Sequence, residues 1–190
     1  MTVSVVAAAC GPDATARRGA ERAAYVDSAR SQAEELRRFR IGLAEPAALS
    51  GGAASRDALI RRFVTALERA DTAALEALAL TRAEFAYLYY PTAPQGRPPY
   101  DLSPGLMWFM LQENSRRGLS HALEERGGRA LGYVGYSCDV TPSREGENTV
   151  VGPCLVHRRQ ADGEVAQERL FGLIVERGRR FKLVSLANKL

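Results

Sequence analysis

Four side chains in the middle of this sequence could move protons: Glu84, Asp101, His121 and Asp139, with the hydroxyls of Tyr89, Tyr90 and Tyr136 as neighbouring donors. An acid or imidazole beside a phenol is what general acid–base chemistry needs. Several of them also have a plainer role. Glu84 stands three residues after Thr81, the spacing of a helix capping box. His121 falls near the end of an expected helix, where the dipole favours a cation. Asp139 suits the wet face of a sheet. Asp101, Asp139 and His121 are kept as the catalytic candidates.

The cysteines suggest different chemistry. Cys138 and Cys154 are each eight residues from Gly146, in a turn-rich segment between two strand-like runs. A turn centred on Gly146 sets them opposite one another, and opposed positions on antiparallel strands come within about 4.5–5.5 Å between Cβ atoms, near the limit a disulfide spans. The alternative is a pair of buried free thiols.

Metal and nucleotide chemistry find no foothold. His121 and His157 are not spaced as a ligand pair, and there is no Cys-x-x-Cys, phosphate loop, Gly-x-Ser-x-Gly or dinucleotide fingerprint. No metal and no cofactor is expected. The 26 basic residues outnumber the 22 acidic ones by only four and are interleaved with them, which reads as a solvated surface and not as a nucleic-acid stripe. No run of about 18 apolar residues exists to span a membrane.

The elements that would position these groups follow from local signals. Ser55 caps a helix whose stripe is Leu59, Ile60, Phe63, Val64 and Leu67. Asp71 opens a short helix with Leu75 and Leu78, and Thr81 another that ends before Pro91. The loop 92–102, stiffened by prolines, is a candidate rim. Ser103-Pro104 starts a helix running to about Glu125, expected to bury Leu106, Phe109, Met110 and Leu123. From Leu131 to Leu186, four strand-like runs separated by Gly-containing turns read as an antiparallel meander, with Phe171, Leu173 and Val175 on one face. Its concave side is expected to pack on helix 56–70. The fold class is therefore α+β, with residues 53–190 as the domain, 11–52 as a helical tether and loop, and 1–10 as the end of a leader.

Aromatic density points to a cavity. Tyr87, Tyr90, Trp108, Phe109 and Tyr136 are expected to line it, with Trp108 as a lid over an apolar ligand or as part of the core rim.

Two resemblances add to this. Val3 to Cys10, VSVVAAAC, resembles the end of a bacterial lipoprotein signal peptide, in which small residues precede a cysteine that is acylated; this implies a longer leader upstream, lipidation at Cys10, and export to a compartment where disulfides persist. RDALIRRFVTALERADTAALEAL, followed by further helices and a terminal meander, resembles the nuclear transport factor 2-like superfamily over about Ser55 to Leu186. That likeness implies a cone-shaped α+β domain with a pocket. The preferred expectation is a secreted or lipid-anchored, non-enzymatic module that binds a small apolar ligand or a partner segment, touching the membrane only through the anchor. The alternatives are a small isomerase or hydrolase using Asp101 or Asp139 with a tyrosine, and a homodimerising interaction domain. Palmitate labelling in cells is expected to mark the wild-type chain and vanish in Cys10→Ala; labelling that survives the substitution would end the lipoprotein reading.

Overall fold

The computed structural model describes residues 30–138 and 141–187. Cys10 and Asp139 lie outside the described residues. One compact unit begins at Gln32, so the stretch expected as tether and loop contributes to the domain from that residue on. Helix α1 (Gln32–Phe39) sets Leu36 and Phe39 against an aromatic core.

Helices α2 (Arg56–Glu68), α3 (Thr72–Ala77) and α4 (Arg82–Glu84) begin at the residues that local chemistry names. Ser55 Oγ accepts from Ala58 N at 3.1 Å, Asp71 Oδ1 accepts from Ala74 N at 2.9 Å, and Thr81 with Glu84 forms a full capping box. α4 continues as a π turn over Phe85–Tyr89 and a 3-10 turn over Tyr90–Thr92. α5 (Pro104–Arg126) is capped by Ser103 and closed at Gly127.

The meander is present, but each long strand is interrupted at the same level, so the hydrogen bonding divides into two antiparallel sheets. β1 (Tyr133–Ser137), β4 (Leu155–Arg159) and β5 (Val165–Glu168) form one; β2 (Ser143–Glu145), β3 (Asn148–Val151), β6 (Ile174–Arg177) and β7 (Arg180–Leu183) form the other. The first hairpin closes with Glu145 opposite Asn148, so its centre lies between Gly146 and Glu147 and not on Gly146. Gly146 supplies the positive φ of 65° that such a tight turn requires. Farther out, Ser137 pairs with Leu155 and Tyr136 with Val156. Between the two ladders the first strand therefore carries one residue more than the second, and this count restores the opposition of Cys138 and Cys154. They are joined in a disulfide with Cα atoms 4.2 Å apart.

The second sheet is buried on both faces. The cross-strand row Val151, Ile174, Leu183 meets the α2 stripe of Leu59, Ile60, Phe63 and Leu67. The adjacent row Val150, Val175, Lys182 faces the aromatic core around Phe85, Tyr89 and Tyr90. The α2–sheet packing thus stands, with one correction. Phe171 lies in the break between β5 and β6, where it packs edge-on against Phe63 at 5.1 Å between centroids, while Leu173 and Val175 serve the other core. Ala53 and the 78–80 segment hydrogen-bond along β7, covering its otherwise open edge.

α5 is turned nearly half a revolution from expectation. Leu106, Phe109 and Met110 are exposed, Leu123 is half-buried, and the inward residues are Met107, Gly118, Leu119 and Ala122. The reason is close approach. A Cβ on Gly118 would sit 2.2 Å from the Leu186 carbonyl oxygen, so only the face carrying that glycine can meet the chain end.

The disulfide generates a test. The closed loop is 16 residues apart in sequence, a span for which chain-entropy arguments give about 3 kcal/mol. The Cys138→Ser/Cys154→Ser variant is expected to melt about 6–12 °C lower in the oxidised state, with the difference abolished by reductant. Equal midpoints before reduction would show that the bridge contributes nothing.

Candidate functional site

Glu84 is not a free acid. It is buried, at 1% exposure, and both its oxygens are occupied. Oε1 accepts from Ser50 N at 2.6 Å and Ser50 Oγ at 3.0 Å; Oε2 accepts from Thr81 N and from Lys182 Nζ, each at 2.8 Å. Burial pushes its pKa up, but the hydrogen bonds from Lys182, Thr81 and Ser50 outweigh burial and hold the carboxyl below its ordinary value.

The other acid–base candidates are scattered. Asp101 is exposed on its loop at φ 45°. His121 Nε2 lies 3.4 Å from Glu125 one turn along α5. Tyr90 is buried, and its hydroxyl donates to the Leu102 carbonyl at 2.8 Å and also meets the Gln32 carboxamide. Burial first, then the charges of Asp101 and Glu35, raise its pKa. A Ser–His contact that sequence reading did not anticipate, Ser137 Oγ to His157 Nε2 at 3.0 Å, crosses from β1 to β4.

The five aromatic residues do not wall one cavity. Phe109 is 61% exposed, and Tyr136 packs on the α2 core, away from the others. Tyr87 is half-buried under the Arg40 guanidinium, which lies 4.3 Å from its ring centroid. Trp108 is no lid: its ring packs 5.2 Å from that of Phe85 and forms one wall of an open cleft of about 430 Å³. The arginines of that cleft are engaged, Arg82 over the Phe39 ring and Arg116 with Glu113.

On the neighbouring face of α5 lies a different kind of space. A pocket of about 200 Å³ runs between Met107, Met110 and Leu111 on one side and Leu173 and Val184 on the other, with Tyr89 beside it. Among the described residues no acidic side chain lines it. Gln95 and Leu102, from the loop expected to be a rim, close one end. Gln95 Oε1 is buried and, among the described residues, has no hydrogen-bond donor. Farther along α5 stands Asn114, and Arg169 also lines the pocket. Burial, and then the charge of Glu145, push the Tyr89 phenol well above its ordinary pKa. Glu145 is itself raised by burial, against the opposing effect of Arg97, and among the described residues no hydrogen bond joins it to Tyr89.

Sequence reading missed Gln95, Arg169 and Glu145, for no motif marks them. The available signal was the stiff loop, which supplies one of the three. Comparison with known protein families, with curated proteins and with solved structures finds no match. Among the described residues no cluster of His, Cys, Asp and Glu could hold a metal ion, and no helix is long and apolar enough to cross a membrane.

The Glu84–Lys182 pair sets a pH prediction. The Glu84 pKa is depressed by folding, so its contribution to stability is present above the ordinary value of 4.5 and lost as pH falls below that through the folded value. Denaturant unfolding of Glu84→Gln is expected to show a shallower loss of stability below pH 4.5 than wild type. Lys182→Met, which strands the carboxylate, is expected to cost about 3–5 kcal/mol at neutral pH. Parallel acid profiles for wild type and Glu84→Gln would refute the assignment.

Proposed function

We propose that this chain is an exported, non-enzymatic binding module whose ligand is a small, largely apolar molecule held in the 200 Å³ pocket beneath α5. The observation that carries this reading is the lining itself: thioether, aliphatic and aromatic side chains with a few polar ones, Gln95, Asn114, Arg169 and Ser185, and, among the described residues, no carboxylate. Binding sites of this kind are apolar with a few polar groups that set orientation. The pocket is smaller than the roughly 300–1,000 Å³ that drug-sized ligands occupy, so the ligand is of single-ring or short-chain size. Methionines at the wall suit it, because their unbranched side chains adapt to irregular shapes.

Helices packed on a bent antiparallel meander, in this order along the chain, support placing the domain among nuclear transport factor 2-like cones. The Cys138–Cys154 bridge supports an oxidising, extracytoplasmic home, and Cys10 is the proposed site of lipid attachment to a membrane. The exposed stripe of Leu106, Phe109 and Met110 borders the pocket through Met110.

Saturation-transfer NMR with toluene and p-cresol is expected to show saturable binding with a Kd of about 0.1–1 mM, the range open to so few atoms. Leu111→Trp fills the space from a half-buried position and is expected to abolish the signal with little change in melting. Binding that is absent in wild type, or unaffected by the filling substitution, would overturn the reading.

A further inference from the structure

The polar side chains of the pocket differ in chemistry. Arg169 and Asn114 both line the pocket, and Asn114 Oδ1 accepts from Arg117 at 3.2 Å, which leaves its amide nitrogen as the donor. Arg169 is half-buried. Its Nε reaches the Phe171 carbonyl at 3.4 Å, and among the described residues no carboxylate stands within ion-pair distance of it. The neighbouring Glu168 is taken by Arg126 and Arg158, at 3.1 and 2.9 Å. A guanidinium held at the edge of an apolar space and lacking its own anion is suited to a carboxylate, which it can bind through two parallel N–H groups. At the Gln95 end the chemistry is reversed. Leu102 N donates to the Gln95 backbone carbonyl at 2.9 Å, which fixes the residue beside the start of α5, and its side-chain oxygen is the buried acceptor without a donor. From Met107 to Asn114 the helix rises about 10 Å, the length of one ring with a substituent at each end.

Resting on the reading of this pocket as the ligand site, we propose that the ligand is a small amphipathic carboxylate. Its carboxylate pairs with Arg169 and Asn114, its apolar body lies between Leu111 and Val184, and a hydroxyl or N–H at its far end donates to Gln95 Oε1.

Titration of the full-length chain with 4-hydroxyphenylacetate, phenylacetate and p-cresol separates the parts. The first carries both groups, the second lacks the hydroxyl, and the third lacks the carboxylate. In wild type, 4-hydroxyphenylacetate is expected to bind about tenfold or more tighter than p-cresol and about 2- to 10-fold tighter than phenylacetate. Arg169→Gln is expected to erase the first ratio and keep the second; Gln95→Leu is expected to do the opposite, and because it removes an unpartnered buried oxygen it should fold at least as well. If p-cresol binds as tightly as the acid, or Arg169→Gln leaves their ratio unchanged, the carboxylate assignment is overturned while the pocket stands. If none of the three competes with toluene, the assignment is likewise overturned. If Leu111→Trp leaves the binding of all of them intact, the pocket reading itself has failed.

Discussion

The buried contact between the Glu84 carboxylate and the Lys182 ammonium ties together parts of the chain that nothing local would join. Lys182 is the one charged member of a cross-strand row whose other members are Ser143, Val150 and Val175. Its charge must be met on the far side of the sheet, and Glu84 meets it while also holding Ser50 and Thr81. A single carboxylate thus fixes the loop before α2, the opening of α4 and the register of the last strand. A one-residue slip of β7 would carry the ammonium to the α2 face, among Leu59, Phe63 and Leu67, with no anion to receive it. Pairs of this sort add little net stability compared with apolar residues of the same shape, yet losing one partner is costly. Here the pair selects one alignment out of those that hydrophobic alternation alone would tolerate.

That alignment leads to the pocket. With α4 pinned at its first turn, the π turn that follows carries Phe85 and Tyr89 against the sheet, and Tyr90 follows through the hydroxyl bond to Leu102. Leu102 and Gln95 are thereby set beside the start of α5. At its other half, α5 is drawn down onto the chain end at Gly118, where backbone touches backbone. Near its start the same helix bears Met107, Met110 and Leu111, whose bulk stands between it and the 184–187 segment. A helix clamped at a glycine and propped by long side chains leaves space between the two, and that space is the candidate site.

What could be read from the sequence was what is local. Helix caps at Ser55, Asp71, Thr81 and Ser103 are three-residue events, and all four form. The α2 stripe and the order of the meander are periodic signals spread over short windows. Glu84 was legible only as the partner of Thr81, because Lys182 lies 98 residues farther on and a lone lysine in a strand announces no buried partner. The phase of α5 was misjudged for a related reason: apolar side chains occur on more than one side of it, and the choice is made by Gly118 against the chain end, a contact between segments about 70 residues apart. The aromatic residues were rightly seen as dense but not as divided, since Tyr136 and Tyr87 sit on different cores. Gln95 and Arg169 belong to residue types that are usually solvated, so only their surroundings single them out.

The disulfide shows how a local inference can hold although its premise shifts. The hairpin turn is centred half a residue away from Gly146, and taken alone that offset would set Cys138 off register from Cys154. The extra residue in the first strand cancels it. The break in the ladder recurs in all three long strands at the level of the cysteines. Where the sheet divides, backbone hydrogen bonds no longer hold β1 and β4 in step with β2 and β3. The Cys138–Cys154 bond spans that gap, with Cys154 fully buried against the α2 core. Its place is therefore explained by the bend: the chain is covalently linked at the level where its hydrogen-bonded ladders cannot link it.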